Sequence, residues 1–149
     1  MGPVKIFKNL SIFLILTLFI SSCSGGYEQD YADFESFNKT NLRTKSWFPK
    51  IIDSSAYELK SVSYIDELAD FGTFRYTASK KYDRIFKDSN KRIEFSEFEL
   101  AVDKHKKQIP RWFLNIKNID TNNFETIKVD GFYLTRNKQE KQVYFILAN

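Results

Sequence analysis

A single cysteine, Cys23, decides most of what this chain can fold into. It closes a segment that starts with the cations Lys5 and Lys8, runs through the apolar stretch from Leu10 to Ile20, and ends in Ile20-Ser21-Ser22-Cys23. The apolar stretch is shorter than the roughly 20 residues that a bilayer-spanning helix needs. A charged start, a short apolar centre and small residues at the end are the layout of a secretory signal with its cleavage site. The ending is a lipobox, in which the cysteine takes a lipid and becomes the new N-terminus. Residues 1–22 are therefore expected to be a cleaved lipoprotein signal peptide with no part in the fold. Acylated Cys23 leaves no thiol for a disulfide, so the domain must be held by its core alone.

The 149 residues less the first 22 leave 127, enough for one hydrophobic core and crowded for two. Residues 23–29 are expected to be the lipidated cysteine and a short spacer built on Ser24-Gly25-Gly26, and residues 30–149 a single domain. Aromatic residues make up 17% of the chain, with Phe dominant, which supplies the core. Of the 23 basic residues, Lys5 and Lys8 leave with the signal, so 21 face 19 acidic ones and the mature domain is close to neutral. That balance gives no field for nucleic acid, and Lys104-His105-Lys106-Lys107 reads as a solvated helix face. Two or three acyl chains hold a protein stably on a membrane, so the lipid on Cys23 makes the membrane the first expected partner. Ser24, not an aspartate, follows the cysteine, which by resemblance to known lipoprotein sorting favours the outer membrane, at its periplasmic face or the cell surface.

Tyr31, Phe34 and Phe37 recur every third residue and predict a short helix over residues 27–39, followed by a polar loop from Asn38 to Ser46. Trp47-Phe48-Pro49-Lys50-Ile51-Ile52-Asp53 is a compact apolar turn in which Pro49 holds Phe48 extended. Residues 57–64 and 72–77 alternate as half-buried strands and predict a hairpin around Asp66 to Asp70. Short helices are expected over 80–87 and over 98–108, the second ended by Pro110, and Trp112 to Ile116 reads as buried. The runs 126–129, 132–135 and 142–147 are β-prone, and the last two predict a terminal hairpin. Strands interleaved with short helices without a regular βαβ period define an α+β domain, with a mostly antiparallel sheet of about four to five strands.

Residues 80–102 resemble an EF-hand, with Asp88, Asn90, central Ile93 and closing Glu97 in their relative places. That register puts Phe86 where the first aspartate belongs and Lys91 where the sharp turn demands glycine, so Asp88, Asn90 and Glu97 make a weak calcium candidate against a plain polar turn. His105 is the only histidine and sits far from the cysteine, so no zinc site or Cys-His dyad assembles, and a solvated helix histidine is the simpler reading. Asp66, Glu67 and Asp70 crowd one loop, where carboxylates mostly form turns. No cofactor and no catalytic residues are expected. The turn Trp47, Phe48 and Pro49 is expected to be either a lid on the core or a surface for a partner, with packing favoured because Phe48, Ile51 and Ile52 also need burial.

Ser46-Trp47-Phe48-Pro49-Lys50-Ile51-Ile52-Asp53-Ser54-Ser55-Ala56 resembles a stretch Gly-Trp-(Ile/Phe)-Pro-x-x-(Ile/Leu)-Pro-x-Ser-Ala found in a family of small, uncharacterised bacterial envelope proteins. Tyr64-Ile65-Asp66, Phe74-Arg75-Tyr76 and Val143-Tyr144-Phe145 extend the resemblance. Ser46 stands for the Gly, Asp53 for the second Pro, and Glu67-Leu68 for a Thr-Asn. The resemblance implies a small shared fold and an envelope location, and no activity. The sequence thus predicts a membrane-anchored, non-enzymatic binding or accessory lipoprotein with an envelope protein partner, of which an inhibitory or immunity-type protein is one version. A ligand-binding or hydrolytic domain using acidic residues, and a weak calcium binder, are the alternatives.

Overall fold

The structure, a computed structural model, describes residues 25–40 and 47–148. The expected signal peptide, Cys23 and residues 41–46 of the expected polar loop lie outside them. Six antiparallel strands form one sheet: β1 (Tyr27–Asp33), β2 (Ala56–Tyr64), β3 (Ala69–Tyr76), β4 (Phe124–Val129), β5 (Phe132–Asn137) and β6 (Gln142–Ala148). Helix α1 (Phe34–Asn38) follows β1, while α2 (Ser79–Lys87) and α3 (Phe95–Lys104) lie between β3 and β4. The strand order is β1-β2-β3-β6-β5-β4, so two three-stranded meanders meet where β3 pairs with β6.

The α+β class and the antiparallel sheet agree with the sequence, but the strand count exceeds it because residues 27–33 are a strand. Tyr27 pairs with Ser63, Gln29 with Ser61 and Tyr31 with Leu59, so the residues expected as the end of a spacer and the first turns of a helix instead extend the sheet edge. Glu, Gln and Asp at the intervening positions have poor strand propensity, and the open edge of β2 overrides it. Asp33 then caps α1, accepting from Ser36 N at 2.8 Å while Ser36 Oγ takes the Asp33 N–H. Helix α3 starts three residues earlier than predicted and ends at Lys104. Beyond it, His105 to Gln108 continue as turns, with the Gln108 N–H donating to His105 O.

Both faces of the sheet are covered. On one, α1, the turn over residues 47–52 and α2 bury Phe37, Phe48, Ile52, Tyr82 and Phe86 against Leu59, Phe74, Leu134 and Phe145. On the other, α3 and the chain after it bury Phe98, Val102 and Phe113 against Val62, Phe71 and Ile146. Each such Phe contributes roughly 1.5–3 kcal/mol. The central strand β3 is consequently buried at every position but Arg75. Gly72 is required there, because a Cβ at that position would fall inside the Phe145 ring that crosses it. At the edges, Lys91 O and Ile93 N bond to Lys128 N and Thr126 O and cover β4, whereas β1 presents charged side chains such as Glu28 and Asp30.

The strand register aligns one end of the sheet. Tyr27, Ser63, Asp70, Leu147, Phe132 and Val129 form a row across all six strands. The chain from Gly25-Gly26, the β2–β3 turn, the β4–β5 turn and the end of β6 all leave the sheet beside that row.

Candidate functional site

The Trp47 turn is part of the core. Phe48 is 1% exposed and packs at a tilt against Phe37 with ring centroids 4.8 Å apart, Pro49 is buried, and the half-buried Trp47 leans on Tyr27. Asp53 closes the turn: its Oδ1 accepts from Ser55 N and Oγ, and its Oδ2 meets Lys81 Nζ at 2.7 Å. Burial pushes the Asp53 carboxyl up, but Lys81 and Ser55 outweigh it and hold it below its usual range. The turn is thereby tied to the start of α2.

Of the calcium candidates, Asp88 has partners within its own turn. Asp88 Oδ1 accepts from Asn90 N in a local turn, and Asp88 Oδ2 pairs with Lys91 Nζ at 3.1 Å. Glu97 lies in the first turn of α3, and Ile93 bonds to β4. Among the described residues no three His, Cys, Asp or Glu side chains group to hold a metal ion.

His105, which the sequence allows either on the inner stripe with Phe98, Ala101 and Val102 or as a solvated helix histidine, is 8% exposed, and its Nε2 is buried without a hydrogen-bond partner. Burial and the neighbouring Lys104 push its pKa down, with Glu67 opposing them. The crowded carboxylates separate as well: Asp66 and Glu67 are exposed in the β2–β3 turn, while Asp70 lies inside β3 and is 8% exposed.

Two polar clusters interrupt the sheet face under α1 and α2. The first lies on β4–β6 and centres on Arg136, which is fully buried. Its guanidinium donates to Glu125 Oε2 through Nε at 2.8 Å and also through Nη2, to Asp83 Oδ1 at 2.8 Å and to the Tyr76 hydroxyl, and it lies 4.8 Å from the Phe86 ring centre. Burial raises the Asp83 carboxyl, but Arg136 and Lys138 outweigh it and hold it low. The second lies on β1–β3 and joins Gln29, Ser61, Ser63 and Asp70. Ser61 Oγ donates to Gln29 Oε1 at 3.2 Å, yet Gln29 Nε2 and Ser63 Oγ are buried without a partner. Burial pushes the Asp70 carboxyl up, and Ser63, outside bonding geometry, offsets only part of this. Neither cluster was singled out from the sequence. Arg136 had a signal, since strand alternation puts it on the face of Phe132 and Leu134, but its place beside Lys138 to Lys141 makes it read as part of a polar turn.

Exposed apolar side chains are concentrated. Among the described residues the large ones are Tyr27 at 59%, Ile65 at 68%, Leu68 at 60% and Leu100 at 68%. The first three sit at the sheet end from which residues 25–26 lead away, and Leu100 stands on α3, where Glu97, Ala101, Lys104 and Tyr133 line a groove of about 260 Å³ with it.

Residues 26–75 match the family model of the YbbD head domain, which links this part of the chain to a bacterial family. The matched segment spans β1, α1, the Trp47 turn, β2 and nearly all of β3, which is the first meander with part of its cover. No curated protein and no solved structure gives a significant match to the chain.

Proposed function

We propose that this is a lipid-anchored lipoprotein of the bacterial envelope that acts by binding another protein, as an accessory or inhibitory factor, immunity to a toxin being one version. The observation that carries this reading is the distance from the lipobox to the fold. Cys23 precedes Tyr27, the first residue of β1, by only four positions, so the tether confines a rigid domain to the membrane surface, where a partner meets it at raised effective concentration. The Trp47 turn belongs to the core, and the partner surface is instead the outer face of α3, where Leu100 stands among Glu97, Lys104 and Tyr133. The resemblance of residues 46–56 to envelope proteins supports the location, and Ser24 favours the outer membrane. In-cell crosslinking of the tagged protein should capture one dominant envelope protein, and both Cys23→Ser and Leu100→Arg should lose it. Recovery of that protein at undiminished yield in both variants overturns the reading.

The competing proposal, a ligand-binding or hydrolytic domain, draws on one observation: a buried carboxyl, Asp70, beside two polar atoms without partners. It requires a small molecule whose binding raises the melting temperature of the native protein and not of Asp70→Asn.

A further inference from the structure

We infer that the tether-side end of the sheet is a second membrane contact, in which the β2–β3 turn sets Ile65 and Leu68 into a phospholipid surface beside Tyr27. This rests on the proposed lipidation of Cys23. Four links of chain join Cys23 to Tyr27, which at no more than about 3.6 Å per residue hold the start of the first strand within roughly 14 Å of the acylated cysteine. Tyr27 pairs with Ser63, two residues before Ile65, so the same short tether holds the β2–β3 turn against the bilayer. Side chains at this end suit that position. Ile65 and Leu68 are 68% and 60% exposed, although a β-turn tip in water has no need of them, and Tyr27 at 59% offers the amphipathic ring that favours the membrane–water boundary.

The charge at this end is mixed, with apolar insertion as the driving term. Asp66, Glu67 and Asp130 lie in the two turns, and Lys106 and Lys107 are exposed just after α3. Those lysines belong to the same end because Gln108 Nε2 reaches Glu67 Oε1 at 3.5 Å. They give the turn acids nearby counter-charges and offer anionic headgroups a cationic neighbour. With its turn seated in the lipid, the domain stands with α3 and Leu100 beside the membrane and the β5–β6 turn pointing away from it.

The test is hydrogen exchange on the full lipidated protein reconstituted in vesicles of phosphatidylethanolamine and phosphatidylglycerol, with the soluble Cys23→Ser protein as reference. Amides of residues 65–69 should exchange at least about fivefold more slowly on vesicles, those of residues 138–141 at an unchanged rate. Ile65→Asp/Leu68→Asp, which alters only exposed positions and should leave the melting temperature in place, should abolish the slowing. Equal rates at both turns, slowing that survives in the double variant, or slowing produced by soluble envelope proteins and not by vesicles overturns the inference. Mass spectrometry of the N-terminal peptide reads acylation separately. The same exchange measurement with a maleimide phospholipid coupled to Cys23 of the mature chain reads docking even if the cell leaves that cysteine unmodified.

Discussion

The two meanders bury polar groups on the same face of the same sheet, and they handle them in opposite ways. In β4–β6 the guanidinium of Arg136 finds Glu125, Asp83 and Tyr76, and it sits over the Phe86 ring. In β1–β3 the rows that read Leu147-Phe132-Val129 and Phe145-Leu134-Ile127 across the second meander continue as Tyr27-Ser63-Asp70 and Gln29-Ser61-Gly72. There two buried polar atoms stay unpaired and a carboxyl is desolvated. A buried charge is tolerated when every donor is met, and a half-satisfied cluster weakens the region that holds it. The second meander is therefore the better satisfied half, with α2 joined to it through Asp83. The first meander follows directly on Gly25-Gly26, and it carries the exposed β2–β3 turn and most of the segment matched by the YbbD head domain.

The sharpest way to break this contrast is Arg136→Met. It strands Asp83 and Glu125, and because both are partly solvated we expect a loss of about 3 kcal/mol in urea unfolding, at the lower end for a broken buried pair. Replacing all three as Arg136→Met/Asp83→Leu/Glu125→Leu should recover most of that loss. If the single variant is as stable as the parent, the clamp is decoration. Next in size is Asp53→Ala, which frees Lys81 and Ser55 and should cost about 1–2 kcal/mol by the same measurement. In the first meander the sign reverses: Asp70→Asn should raise stability by about 1 kcal/mol at pH 7, because it removes a buried charge whose desolvation Ser63 offsets only in part. Ser63→Ala should be the smallest effect, within about 0.5 kcal/mol and on the stabilising side.

Opposite pH dependences sharpen the comparison further. Asp53 and Asp83 have lowered pKa values, so their contributions are present above the unfolded carboxylate range near 4 and are lost as pH falls through the folded values. Asp70 has a raised pKa, so its region is most stable below that range and weakens as pH rises through the folded value. Stability measured from pH 3 to 7 should climb less steeply in Asp83→Asn than in the parent, and more steeply in Asp70→Asn. Parallel curves for all three proteins would contradict both assignments.

Much of the fold was legible because it is written in short-range pattern. The hairpin of β2 and β3, helix α2 and the strands of the second meander follow from alternation, helical spacing and Asp130-Gly131. The turn at that pair uses the left-handed φ of both residues, which Asp and Gly accept more readily than most. β1 was missed because its apolar residues lie at Tyr27 and Tyr31, a spacing that with Phe34 and Phe37 reads as a helix. The site was less legible. Trp47-Phe48-Pro49 announced itself but left lid and anchor open, and the burial of Phe48 between Phe37 and Phe145 answers that for the core. Asp88 and Asn90 carried the outline of a calcium loop, and only the ion pair with Lys91 exposes a different use.

Some properties belong to the sequence alone: one cysteine with no second thiol, a near balance of basic and acidic residues beyond position 22, an aromatic core supply and the local turns that divide the strands. Each depends on residue identity or on neighbours within a few positions, where propensity and periodicity act. Tertiary structure decided the rest. Pairing with Leu59, Ser61 and Ser63 turned a polar segment into β1, Asp83 and Glu125 made Arg136 a buried cation, and strand register brought Gly26, Tyr27, Ile65 and Leu68 to one end. Those outcomes rest on contacts between residues tens of positions apart, and no window along the chain contains both partners.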